Sequence, residues 1–424
     1  MKNYFLTLGL LFCFLGVKAA AFSTGDSIQI SLLTCSPGKI AYEKFGHTAI
    51  RVLDKSKGLD LIFNYGIFSF DTDNFYYKFM KGETDYVLGV TTTDQFLPEY
   101  AARNSSVTEQ IINLTKWEKE RLLQALLINY EPQNRKYRYN FVYDNCSTRA
   151  MDMIMKNVDG VIIFTKENTE IKTFRTHIER YGGWNTWLMF GIDIIFGSTA
   201  DTYASKMTSM FLPEILMAEF KEAKIVQLKD KDERSLVQEE ILLVARKNEE
   251  PKTNLLLLIS SPFVICTLIL IIGLAITIGN IRRKRHNKLF DSILFITTGL
   301  IGIIAFYFSF ISIHPLVQDN YNLLWLCPLN LIAGIFIWFK SLRTPLFYYL
   351  FVYFLMLFVV LIVFSFDWQT ANIAFIPLVV LLLTQSLYWI VYRRKDVASI
   401  RQLISKKKKR HSRRRKGHKH HRSR

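Results

Sequence analysis

Phe45-Gly46-His47-Thr48-Ala49-Ile50-Arg51-Val52 and, about a hundred residues later, Tyr143-Asp144-Asn145-Cys146-Ser147-Thr148 are the stretches on which the reading of this chain turns. The first runs through β-branched and small residues after a glycine, so it reads as a strand opened by a histidine. The second sets Asp144 and Asn145, good helix caps, ahead of Ser147 to Met155, which can continue as a helix. Cys146 would then sit in the first helical turn, where the dipole and unpaired N–H groups favour a thiolate. An imidazole beside it would act in the same sense and carry protons. Apolar burial of the cysteine explains these residues equally well, because one Cys–His pair has no diagnostic spacing.

Outward from these two stretches, Ser27 to Leu33 and Leu59 to Phe63 read as further strands, the latter joined to the His47 strand by a turn at Asp54-Lys55-Ser56-Lys57-Gly58. Lys116 to Tyr130 reads as an amphipathic helix, with Leu122, Leu123, Leu126 and Leu127 on one face and Thr115 as its cap. Residues 20–250 therefore form an α+β domain without repeats or low complexity.

From Asn254 onward apolar stretches at about 254–279, 290–312, 321–339, 345–366 and 371–392 are each long enough for a bilayer helix of roughly twenty residues. This predicts an all-α five-helix transmembrane domain over 251–393. Arg282 to Arg285, Lys340 to Arg343 and the C-terminus are basic, whereas Ile313 to Asn320 and Phe366 to Thr370 contain no Lys or Arg. The positive-inside rule then makes the basic loops and the C-terminus cytoplasmic and puts residues 20–250 outside. An N-terminal apolar run, Tyr4 to Val17, followed by small residues reads as a signal peptide over 1–19, which gives the same orientation.

The formal net charge of +18 falls to +6 without residues 406–424, which hold twelve Lys and Arg and no acid. The excess is thus a cytoplasmic tail at 394–424, whose place beside the inner leaflet favours anionic lipid over nucleic acid as its partner. The four tail histidines alternate with Lys and Arg, no metal motif or glycine-rich nucleotide loop stands out, and no cofactor is expected. Of five cysteines, only Cys35 and Cys146 fall in the exported part after the signal. A disulfide between them would remove the nucleophile, and a domain of this size does not need one.

A His strand ahead of an Asn-Cys helix start resembles the circularly permuted NlpC/P60 branch of the papain-like fold, as in lecithin:retinol acyltransferase-like enzymes. More closely, Phe45-Gly46-His47-Thr48, Phe63-Asn64-Tyr65-Gly66, Asp144-Asn145-Cys146-Ser147-Thr148 and Phe211-Leu212-Pro213 resemble the Bacteroidota family of the Lnb N-terminal periplasmic domain. His314-Pro315-Leu316 and Asn320-Tyr321-Asn322-Leu323-Leu324-Trp325 resemble the membrane half of its long members. The resemblance implies an inner-membrane acyltransferase that moves a fatty acyl chain from a phospholipid, through a Cys146 thioester, to the α-amine of a diacylglyceryl-cysteine lipoprotein. His47 would be its acid and base.

A papain-like site implies a third polar residue, for which Asn64 is chosen and Asp60 competes, since strand register is not fixed by sequence. Asn64 also fits a turn begun with Gly66. Arg149, one turn beyond Cys146, is a candidate phosphate contact or a solvated helix residue. His314, Asn320 and Asn322 are candidates for a substrate path at the outer membrane edge, or ordinary interfacial residues. Phe190 to Phe196 would dip into the bilayer or be a buried element. The competing functions are a cell-wall cysteine amidase or peptidase and a non-catalytic membrane sensor or scaffold.

Overall fold

The computed structural model describes residues 27–68, 73–164, 172–228, 231–247, 255–283 and 287–391. The signal peptide, the His286 part of the first basic loop and the basic tail lie outside them. The N-terminal part is built on strands β1 (Ile28–Cys35), β2 (His47–Asp54), β3 (Leu59–Ile67), β4 (Asp85–Thr92), β5 (Val107–Ile112), β6 (Lys136–Arg138) and β10 (Val237–Val244). They form one antiparallel sheet in the order β10-β5-β1-β2-β3-β4-β6. A second sheet joins β7 (Val161–Ile163), β8 (Lys224–Val226) and β9 (Glu233–Ser235).

The helices of this part are α1 (Phe75–Lys81), α2 (Thr93–Ala102), α3 (Lys116–Tyr130), α4 (Cys146–Lys156), α5 (Phe174–Gly182), α6 (Trp187–Ile195), α7 (Lys206–Ser209) and α8 (Pro213–Glu222). Alternation along the strands sends Ile30, Leu32, Ile50, Val52 and Phe63 to one face, where they pack on Leu122, Leu126, Ala150, Ile154 and Phe220 from α3, α4 and α8. Leu33, Cys35, Ala49 and Ile62 point to the other face, under Phe96 and Tyr100 of α2. Helices thus cover both faces of the central strands. α3 begins at Thr115, which forms a capping box with Glu118.

The C-terminal part contains α9 (Leu255–Ile259), α10 (Pro262–Arg283), α11 (Lys288–Phe310), α12 (Asn330–Phe336), α13 (Arg343–Ser365) and α14 (Phe375–Val391). Among the described residues three helices are long and apolar enough to cross a membrane, α10, α11 and Lys340–Ser365, and α14 is shorter. The expected helix over 321–339 is broken. A 3-10 turn (Tyr321–Leu324) and a loop through Pro328 precede the seven-residue α12. Proline in a helix interior removes a hydrogen bond and kinks or breaks the helix, and the backbone it frees needs partners where water is excluded. Here the Trp325 carbonyl accepts from Tyr353 Oη and Asn330 Nδ2.

This broken segment still runs the length of α11. It starts where the Tyr321 N–H meets Gln369 and ends where Trp338 Nε1 donates to Ser292 near the other end of α11. Glycines make the close packing possible, since a Cβ at Gly302 would stand 1.9 Å from the Leu326 carbonyl and one at Gly299 2.2 Å from the Leu331 nitrogen.

The two parts meet at α6. Phe190 packs on Phe375, Ile194 belongs to the apolar core among the membrane helices, and Trp187 Nε1 donates to the Ser260 carbonyl. The run Phe190 to Phe196 is thus a helix seated against the membrane part.

Candidate active site

β2 enters the site through Gly46, whose φ is +74° and where a Cβ would lie 2.6 Å from the Cys35 carbonyl. Only glycine tolerates both conditions. The approach it permits is that of the neighbouring strand, which sets Cys35 opposite His47 in the β1–β2 register.

Cys146 opens α4 behind the Asn145 cap. Asn145 Oδ1 accepts from the N–H groups of Ser147 at 2.8 Å and Thr148 at 3.0 Å, and its Nδ2 donates to the Phe141 and Phe211 carbonyls. One buried side chain therefore caps the helix and ties it to the Phe211-Leu212-Pro213 turn. A buried bond of 2.9 Å between the Thr48 and Ser147 hydroxyls fixes α4 to β2. Across the cleft a Cβ on Gly66 (φ +94°) would come within 3.9 Å of the Cys146 Cβ.

His47, Cys146 and Asn64 are brought together. His47 Nε2 donates to Asn64 Oδ1, and Cys146 stands close enough to the imidazole for each group to shift the titration of the other. The imidazole stacks on Tyr100, with 6.4 Å between centroids and 12° between planes. Asp60 is engaged elsewhere, by a two-pronged pair with Arg51 and a bond from Thr93.

Burial opposes ionisation of the Cys146 thiol. The charge of His47, its hydrogen bond, the Thr48 N–H and the Ser147 hydroxyl outweigh it, so the thiol lies below its ordinary range. Burial likewise opposes a charged His47, yet Cys146 and Asn64 raise it above its ordinary value. Each group supports the charge of the other, which is the condition for a thiolate–imidazolium pair. Cys35 and Cys146 are both free thiols, and burial pushes Cys35 far up.

His47, Asn64 and Cys146 line a cavity of about 640 Å³. Its walls include Ile192, Ile195 and Phe196 from α6 and its end, together with Phe308, His314 and Val317 at the end of α11 and just beyond. Glu43, Glu99 and Arg103, joined by ion pairs, form a polar rim.

The other sequence candidates fall differently. His314 does line the cavity, with Nε2 donating to the Phe79 carbonyl at 2.6 Å. Arg149 turns away from it. Its guanidinium is held by both carboxylate oxygens of Asp144 and lies 3.6 Å from the centre of the Tyr137 ring. Asn320 and Asn322 are buried and saturated. Asn320 Nδ2 donates to the Ile194 carbonyl, Asn322 Nδ2 to that of Asp193, and Asn322 Oδ1 accepts from Trp325 Nε1. They correct the expectation of a substrate path, because short amides this deep are consumed by satisfying α6 backbone.

Sequence reading missed Arg175, which reads as one charge in a charged helix but is 3% exposed. It pairs with Asp193 and Asp201 and donates to the Gly197 carbonyl, while Asn372 donates to Asp193. The signal was Asp193 itself, a lone acid within Phe190 to Phe196, since a buried carboxylate requires a cation.

Residues 18–180 match the family model of the Lnb N-terminal periplasmic domain, and residues 252–396 match that of the Lnb transmembrane domain. No curated protein and no solved structure matches the chain. Since the two matches follow one another and cover most of the chain, this is a membrane protein with a periplasmic N-terminal domain, and it belongs to the Lnb family.

Proposed function

We propose that this protein is a thiol acyltransferase of the inner membrane that carries a fatty acyl chain from phospholipid to the α-amine of diacylglyceryl-cysteine lipoproteins. The observation that carries the reading is the Cys146–His47–Asn64 arrangement inside a cavity whose far wall is α6 and the end of α11. An apolar wall continuous with membrane helices suits an acyl chain.

The chemistry runs in two halves. The Cys146 thiolate attacks the donor ester carbonyl, and the tetrahedral oxyanion forms beside the first turn of α4. Ser147 and Thr148 N–H groups are occupied by the Asn145 cap, so the donor from this turn is the Cys146 N–H. When the carbon–oxygen ester bond breaks, imidazolium His47 protonates the departing lysophospholipid alkoxide, leaving a thioester and a neutral imidazole. The lipoprotein α-amine then attacks the thioester, His47 takes its proton, and the amide and the original Cys146 thiolate with imidazolium His47 result. Asn64 keeps the Nε2–H tautomer in place throughout.

Within this reading the periplasmic domain is a permuted papain-like fold. The C-terminus is cytoplasmic, and the basic tail rests on anionic lipid. The test is mass spectrometry of the N-terminal peptide of an abundant lipoprotein from cells carrying the wild-type chain, Cys146→Ala or no copy. Triacyl peptide in the first and diacyl in the others is the expected result. Triacyl peptide in all three sinks the proposal and moves attention to cell-wall amides.

A further inference from the structure

α1 has the sequence Phe75-Tyr76-Tyr77-Lys78-Phe79-Met80-Lys81 and contains no acid. Tyr76 is 74%, Tyr77 57% and Phe79 46% exposed, an aromatic surface that a periplasmic helix facing water has no reason to carry. Its position supplies the reason. The helix is fastened to the chain that follows the last turn of α11. Ser312 Oγ donates to the Met80 carbonyl, the Ile313 N–H to the Lys81 carbonyl, and His314 Nε2 to the Phe79 carbonyl. Gly82 closes this joint, with room for a Cβ only 2.9 Å from Ile313. Since α11 crosses the membrane and ends at Phe310, α1 is held at the level where that crossing ends. Phe310, Ile311 and Ile313 are exposed on the same joint, so the apolar surface of the crossing helix passes into α1.

Two adjacent tyrosines followed by Lys78, at the end of a membrane crossing, match the headgroup layer, where rings sit among glycerol esters and an ammonium group reaches phosphates, while Lys81 pairs with Glu83. Phe79 and Gly82 line the Cys146 cavity from this side, facing Phe308 and His314. We infer that α1 lies in the headgroup layer of the periplasm-facing leaflet and forms the lip over which the acyl chains of a phospholipid enter the cavity. The membrane contact stands on the geometry alone, whereas the lip rests on the acyl-transfer reading above.

The experiment uses the full chain in vesicles of phosphatidylethanolamine and phosphatidylglycerol, in two parts that fail separately. Tyr77→Trp adds an indole, read as the difference from wild type. Its emission is expected to be blue-shifted and largely lost when the lipids are brominated near the top of their acyl chains. Emission at the wavelength of indole in water, quenched by acrylamide and untouched by bromolipid, overturns the membrane contact, and α1 would then be a surface for a soluble partner.

In the second part, Tyr76→Asp with Tyr77→Asp is assayed with a long-chain phospholipid in the bilayer and with a water-soluble short-chain ester. A severalfold loss with the first donor only, restored by Tyr76→Trp with Tyr77→Trp, is the expected result. Equal rates with both donors, or equal loss with both, overturn the lip. A wild-type chain that transfers from neither donor overturns the acyl-transfer reading and the lip together, while bromolipid quenching still decides the membrane contact.

Discussion

His47 has two partners at once, Asn64 on Nε2 and the neighbouring Cys146, and each sets a limb of reactivity. Thiolate persists as pH falls until the lowered Cys146 value is reached, and imidazolium persists as pH rises until the raised His47 value is passed. Alkylation of Cys146 by iodoacetamide is thus expected below the pH at which a free thiol reacts, and His47→Ala, which leaves burial less opposed, should move its midpoint to higher pH. Asn64→Ala removes one of the interactions that raise His47. The alkaline limb of acyl transfer should move to lower pH, with a rate loss of roughly 10²-fold. An unmoved limb would show that Asn64 does not act through the ring. At this scale the sequence was legible where local rules suffice: a cap before Cys146 and a glycine before His47. That Asn64 rather than Asp60 reaches the ring depends on strand pairing, and Arg175 became visible only as the counter-ion of Asp193, because the partner of a buried charge is chosen by the tertiary fold.

Elements place these residues through contacts that admit no extra atoms. Gly46→Ala puts a methyl 2.6 Å from the Cys35 carbonyl at a φ of +74°, so β1 and β2 must part just where His47 is anchored. A cost of about 1–3 kcal/mol is expected. It is measurable as a lower midpoint of thermal unfolding, and slower Cys146 alkylation should accompany it. Were the midpoint to fall while alkylation stayed fast, Gly46 would matter for stability and not for the site. Gly302→Leu tests the membrane part in the same way, since its side chain would occupy the Leu326 carbonyl position and expel the broken segment from α11. Loss of a monodisperse detergent-solubilised protein is the expected outcome. Periodicity located the strands around His47 and the capped helix α3, although Leu127, grouped by sequence with Leu122, Leu123 and Leu126 on one face, is exposed. It rendered 321–339 as one more helix, since hydropathy counts apolar residues and is blind to the combination of Pro328 with the buried Asn322 and Asn330.

At the scale of the whole molecule, the periplasmic and membrane parts are locked by Arg175, Asp193 and Asp201 with Asn320, Asn322 and Asn372. Removing one member of a buried ion pair strands the other, which costs about 3–5 kcal/mol. Arg175→Met should therefore make the joint near α6 susceptible to limited proteolysis, and acyl transfer should fall although Cys146 and His47 are untouched. Resistance equal to wild type would mean that the joint is held by apolar contacts alone. The hydroxyl bond between Thr48 and Ser147, residues 99 positions apart, carries a consequence for the life of the chain. A polypeptide delivered from its N-terminus exposes the histidine strand long before the cysteine helix, and the two can meet only once the intervening residues, β3, β4 and β5 among them, have been delivered as well. Until then Cys146 has neither imidazole nor helix turn beside it and behaves as an ordinary, sluggish thiol, protected from oxidants during export by the same distance that delays its arming.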